Sequence, residues 1–172
     1  MAYGSKKIPV GITSGWELIK TGTFTSNFDI TGLDGDNDRL WKLLIRARHT
    51  ETFDTYMRFN GDSGGDYDQI HHYFGLDAGT VVHDKVTYQG QNSFLFTPLS
   101  RKNCFITTYI SALSGQPRPI TVLTNVYTNY NNFNLIETGG IWTWTTPKIT
   151  SINIFFSPAP ITAGEYWLFR KV

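Results

Sequence analysis

The sequence predicts an all-β chain: an antiparallel β-sandwich, jelly-roll-like, preceded by an extended N-terminal arm. Three observations predict it. Apolar side chains recur with a period of two rather than 3.6 along most of the chain, in short runs rich in Thr, Val, Ile and aromatic residues. Clusters of Gly, Pro, Asn and Asp separate those runs at intervals of roughly 8 to 15 residues. The length of 172 residues suits one domain whose core is large enough to be stable without disulfides or metal. A barrel-like closure is the competing architecture.

Residues 1–15, MAYGSKKIPVGITSG, alternate little and carry Lys6 and Lys7 among glycines and a proline. They read as an arm, with Lys6, Lys7, Ile8, Pro9 and Val10 as its assembly contacts, leaving 16–172 as the sandwich. Because no apolar run follows the two lysines, a secretory signal is not expected. No stretch approaches the roughly 18 apolar residues of a spanning helix either. The first β-run is Trp16 to Phe24. In Arg39 to His49, Trp41, Leu43, Ile45 and Ala47 alternate with polar or outward positions, as in a half-buried strand, although a helix through Leu40, Leu43, Leu44 and Ala47 fits that segment alone. Phe53, Thr55, Met57 and Phe59 repeat the strand signal. Asn60-Gly61 then suits a type I′ turn, whose two central residues both need positive φ. Further runs are Tyr67 to Leu76, Thr80 to Tyr88, Ser93 to Thr97, Cys104 to Leu113, Ile120 to Tyr127, Trp142 to Thr146, Ile149 to Phe156 and Glu165 to Arg170. Thr138-Gly139-Gly140 reads as a turn between two of them. The lone Cys104 alternates with Ile106, Thr108 and Ile110 and is expected to be buried.

Charge sets limits on function. The chain has 15 Lys and Arg against 14 Asp and Glu and a pI near 7.8, so it lacks the basic excess of a nucleic-acid-binding domain. Charged residues make up 17% of the sequence while Trp, Tyr and Phe make up 15%. That balance, below the roughly 25% charge of an ordinary soluble domain, suggests surface covered by other protein.

Candidate chemistry is sparse. Asp34-x-Asp36-x-Asp38 opens like a calcium loop, but the sixth position is Arg39 and the twelfth Ile45 where such a loop needs Gly and Glu. A second acidic cluster, Asp62, Asp66 and Asp68, could hold a hard cation, yet the glycines at 61, 64 and 65 explain it as a flexible loop. His71 and His72 are adjacent in a strand and point to opposite faces, and only tertiary contact could bring His49 or His83 to either. Gly61-Asp62-Ser63-Gly64-Gly65 fits G-x-S-x-G by letter but lies in a turn between two β-runs, without the strand-to-helix elbow that the motif needs, and there is no P-loop and no H-E-x-x-H. An enzyme is not expected, and neither is a cofactor. Aromatic residues offer another chemistry: Trp142 and Trp144, with Tyr127, Tyr130, Asn129, Asn131 and Asn132, combine flat faces with carboxamides that could stack on and hydrogen-bond host glycans. The same residues also suit a core and a protein interface.

The string Tyr56-Met57-Arg58-Phe59-Asn60-Gly61-Asp62-Ser63-Gly64-Gly65-Asp66-Tyr67 resembles the "RFNGD-S/T-G-x-x-Y" segment of small β-rich structural proteins of tailed bacteriophages. The surroundings from Gly15 to Phe169 are similar as well: "GWELI", "TGLDGDNDRLWKLLIRAR" and "ITSINIFFSPAPITAGEYWLF". The last strand lacks the "LYG"-like finish of similar proteins. The resemblance implies a non-enzymatic virion protein made in the host bacterial cytoplasm. A capsid decoration or head-fibre protein is favoured, since nothing in the length is left for a shaft. Its expected partners are further copies of itself, as a trimer, and other virion proteins such as the major capsid protein, with no nucleic acid and no membrane. A tail or receptor-binding protein that attaches to host glycans, and a jelly-roll capsid protein of a tailless virus, are the alternatives.

Overall fold

The computed structural model describes residues 15–77, 80–129, 132–157 and 161–172, with backbone alone at 49–52, 76–77, 80–83, 97–102, 127–129 and 132–133. The arm residues Lys6, Lys7, Ile8, Pro9 and Val10 lie outside them. Ten strands and one helical turn follow in order: β1 (Trp16–Phe24), β2 (Phe28–Thr31), α1 (Gly35–Asp38), β3 (Leu40–Phe59), β4 (Tyr67–Asp77), β5 (Thr80–Gln91), β6 (Phe94–Ser111), β7 (Arg118–Asn129), β8 (Asn132–Trp142), β9 (Ser151–Ser157) and β10 (Ala163–Lys171).

All pairings are antiparallel. The main path runs β1-β10-β3-β6-β7-β8-β4-β5, while β9 pairs with β3 and carries β2 on its far edge. Two long strands serve both layers. Trp41–Arg48 of β3 pairs with β10 and with Asn103–Ile110 of β6, whereas Asp54–Phe59 of the same strand pairs with β9. Between these halves the β3/β6 register shifts three times, which is how a pleated pair bends from one layer into the other. The layer holding the first part of β6 then lies over β7, β8 and β4. Thr124 Oγ1 of β7 and Thr138 Oγ1 of β8 donate to the Phe96 carbonyl (3.4 and 3.5 Å), and the Leu95 amide donates to Gln69 Oε1 of β4 (2.8 Å). The predicted antiparallel sandwich is the observed architecture.

The alternation places the core where it was expected. Trp41, Leu43, Ile45 and Ala47, then Phe53, Thr55, Met57 and Phe59, are all buried. Ile152, Ile154 and Phe156 of β9 and Ile120, Val122 and Val126 of β7 face them, and Cys104 is buried with Ile106, Thr108 and Ile110. Each large aliphatic or aromatic side chain so buried contributes about 1.5–3 kcal/mol relative to exposure. The helix considered for Arg39 to His49 does not form: that segment and the next run are one 20-residue strand. Ser93 to Thr97 and Cys104 to Leu113 likewise merge into β6. Strand β2 was not predicted. The run Trp142 to Thr146 is corrected most: Trp142 ends β8, and Gly139 and Gly140, read as a turn, lie inside that strand.

Candidate functional site

The Asn60-Gly61-Asp62 segment builds outward from its turn. Asn60 and Gly61 have φ of 53° and 70°, and the Asp62 amide donates to the Phe59 carbonyl at 2.8 Å, the expected type I′ geometry. Asn60 is a clamp on the segment before β9. Its Oδ1 accepts from the amides of Thr150 (2.8 Å) and Ser151 (3.1 Å), and its Nδ2 donates to the Lys148 carbonyl (2.8 Å). Asp62 accepts from Trp142 Nε1 (2.7 Å) and from the Gly64 amide (2.8 Å). The Tyr67 hydroxyl accepts from the Phe59 amide at 2.8 Å. Burial pushes the Tyr67 hydroxyl pKa up, which keeps it protonated.

This places the candidate cation ligands. Asp62 spends both oxygens on protein donors, and Asp68 Oδ1 accepts from the Gly90 amide (2.8 Å). In the first acidic loop Asp34 caps α1 by accepting from the Asn37 amide (3.2 Å), and Asp36 accepts from the Ser114 amide (2.8 Å), a bond that lowers its carboxyl pKa. Asp38 accepts from Trp41 Nε1 (2.9 Å) and from Arg170 Nη1 (3.2 Å). Both loops are held by hydrogen bonds within the chain. Among the described residues no group of three His, Cys, Asp or Glu is placed to hold a metal ion.

The aromatic candidates separate. Trp142 is fully buried. Tyr67 stacks on it with centroids 6.2 Å apart, and the Arg118 guanidinium lies 4.7 Å from its ring centroid, so it has no face for a ligand. Arg118, itself fully buried, donates to the carbonyls of Trp144, Thr145 and Pro147 and thereby fixes the loop after β8. Desolvation lowers its pKa. Trp144 is 44% exposed and meets Trp142 edge-on. Tyr127, Asn129 and Asn132 lie at the ends of β7 and β8, where only backbone is described, and Tyr130 and Asn131 fall outside the described residues. Of these seven residues the side chains of Trp142 and Trp144 are described, and Trp142 is closed to a ligand. His71 is buried with a hydrogen bond to Thr138 Oγ1 (2.9 Å), and His72 lies half-buried on the opposite face.

Two other surfaces stand out. The first is the outer face of the larger sheet. Phe105 and Tyr109 of β6, Leu123 of β7 and Phe74 of β4 are each about 40% exposed. Register connects them. One row reads Leu44, Thr107, Leu123, Glu137, and the next Arg46, Phe105, Asn125, Leu135, Phe74. Arg46 and Arg48 flank this stripe on β3, beside a groove of about 420 Å³ shared with Thr23, Thr25 and Glu165, and Glu137 flanks it on β8. Among the described residues none of Arg46, Arg48 and Glu137 has an ion-pair partner within 4.0 Å.

The second surface is a cleft of about 640 Å³ between the β3–β9 edge and the β4–β5 hairpin. Asp54, Tyr56 and Arg58 of β3 line one side with Phe155 of β9, and Tyr88 and Gln69 line the other. Tyr56 and Phe155, cross-strand partners, stack at 5.2 Å and 9°. The Tyr56 hydroxyl donates to Asp54 Oδ2 (3.1 Å), and desolvation and that carboxylate push its pKa up to about 12. Sequence reasoning missed this cleft because its walls are brought together by pairings between residues far apart in the chain.

Set against family models, curated proteins and solved structures, the chain matches none of them.

Proposed function

We propose that this chain is a non-enzymatic structural subunit of a bacteriophage virion that self-associates through the outer face of its larger sheet, as a trimer, and packs on other virion proteins. The observation that carries self-association is the contiguous apolar stripe Leu44, Phe105, Tyr109, Leu123, Leu135 and Phe74. A protein interface has this anatomy, with apolar and aromatic side chains at the centre and charge at the rim. The rim suits one arrangement of copies. Cations lie on the β3 flank and Glu137 on the β8 flank, so a head-to-tail contact sets Arg46 or Arg48 of one copy against Glu137 of the next. Head-to-tail contacts that close give rings, of which the trimer is the smallest beyond a pair. The virion setting is supported by the Asn60-Gly61-Asp62 resemblance.

Sedimentation at micromolar concentration is expected to show a trimer. Leu123→Asp should shift it to monomer with its β circular-dichroism spectrum retained. Glu137→Arg should weaken association, and adding Arg46→Glu with Arg48→Glu should restore it. A wild-type chain that stays monomeric at 100-fold higher concentration overturns the reading.

A further inference from the structure

We propose that the cleft between the β3–β9 edge and the β4–β5 hairpin binds a short neutral saccharide. The volume of about 640 Å³ lies within the roughly 300–1,000 Å³ of small-ligand sites. Its chemistry selects among ligands. A saccharide ring presents C–H faces and a rim of hydroxyls, each both donor and acceptor. The cleft meets that pattern with phenol rings at Tyr56 and Tyr88, an acceptor at Asp54, a guanidinium at Arg58 and a carboxamide at Gln91. A phosphate or other anion would meet the Asp54 carboxylate, and an organic cation would meet Arg58. A neutral polyhydroxylic ligand can use both, donating to Asp54 and accepting from Arg58. Tyr56, whose pKa of about 12 keeps it protonated in neutral solution, donates to Asp54 and so presents its oxygen to a ligand as an acceptor.

The walls are built in advance. Arg58 is pinned with its guanidinium 4.8 Å from the Phe155 centroid and its Nε donating to the Asn92 carbonyl at 2.9 Å. On the facing wall the step from Tyr88 to Gln91 spans three residues where Tyr67 to Gln69 spans two, a bulge in β5. Gly90 accommodates it at φ 59°, and its amide donates to Asp68. Bulges re-aim side chains, and this one turns both Tyr88 and Gln91 into the cleft. His71 sits behind, edge-on to the Tyr88 ring at 5.3 Å, and backs it. Little ordering remains to be done when a ligand arrives. Among the described residues Asp54 is the one acidic side chain lining the cleft, whereas the usual glycoside hydrolysis uses two. The site holds the sugar without cleaving it. The inference does not rest on the proposed assembly, which uses the opposite face of the sheet.

The test is saturation-transfer NMR and calorimetry on the full chain. The probes are glucose, galactose, mannose, rhamnose, N-acetylglucosamine and N-acetylgalactosamine with their disaccharides, and inorganic phosphate as the anionic control. At least one sugar is expected to bind saturably, at micromolar to millimolar Kd, and phosphate not to compete. Tyr88→Ala and Arg58→Met should each weaken binding at least tenfold. Tyr88→Phe, which keeps the ring against His71, separates lost hydroxyl contact from lost folding. Trp144→Ala, outside the cleft, should leave binding unchanged. No saturable sugar binding, competition by phosphate, or binding that survives Tyr88→Ala but fails in Trp144→Ala would overturn the proposal.

Discussion

Trp41 and Trp142 are both fully buried, and an indole N–H removed from water needs an acceptor. Each finds a carboxylate: Asp38 three residues before Trp41, and Asp62 eighty residues before Trp142. The acidic loops are therefore part of the core's polar bookkeeping. The sequence reading recognised both as turns and the Asn60-Gly61 backbone geometry correctly. It could not tell which tryptophan would come to lie beside which acid, because the second pairing depends on strands paired across the chain. His71 shows how a buried polar group can be tested. Burial pushes its pKa down from 6.5 to about 4, so the folded chain stays unprotonated where the unfolded chain binds a proton. Its contribution is fully present above pH 6.5 and is lost as the pH falls towards 4, at most about 3 kcal/mol over that window. Denaturant titrations at stepped pH should show this slope in the wild type, and His71→Gln, neutral throughout, should flatten it. Equal slopes in the two proteins would rule the histidine out.

Strand β8 holds the clearest disagreement between pattern and structure. Gly139-Gly140 has the composition of a turn, yet both residues pair with β4 and β7. The cause is packing from the other layer: a Cβ at Gly140 would run into the Phe94 ring and the Asp68 carbonyl, while one at Gly139 meets only Ile70 at 3.8 Å. Glycine in a strand marks such a close approach. Gly140→Val should cost about 1–3 kcal/mol through overpacking and Gly139→Ala much less, as read from denaturation midpoints. Similar losses at both positions would contradict this. Trp142 to Thr146 misled for a related reason. Its alternation promised a strand, but Arg118 takes the carbonyls of Trp144, Thr145 and Pro147 that a sheet neighbour would need. The halves of β3, by contrast, were legible because every second residue in each is core.

For the whole molecule the sandwich was legible from alternation and turn spacing, whereas both candidate surfaces were not. The outer stripe mixes Thr and Asn with its apolar residues and emerges only once five strands are in register. The low charge density is consistent with a face of this kind. Since association binds only folded chains, the melting temperature should rise with protein concentration, by a few degrees over a hundredfold range. Leu123→Asp should abolish that dependence, and a concentration-independent wild-type melt would count against the assembly. The two strands that serve both layers carry a consequence in time. The β3–β6 pair needs residues 40 and 111 together, and the edges of the first layer need Trp16 beside Lys171 and Trp41 beside Arg170. A growing chain therefore cannot complete the larger layer before β10 has emerged, whereas β2, β9 and the second half of β3 pair without it. Until then β1 and the first half of β3 wait with unpaired edges, so folding is expected to be late, slow and vulnerable to mispairing between nascent copies.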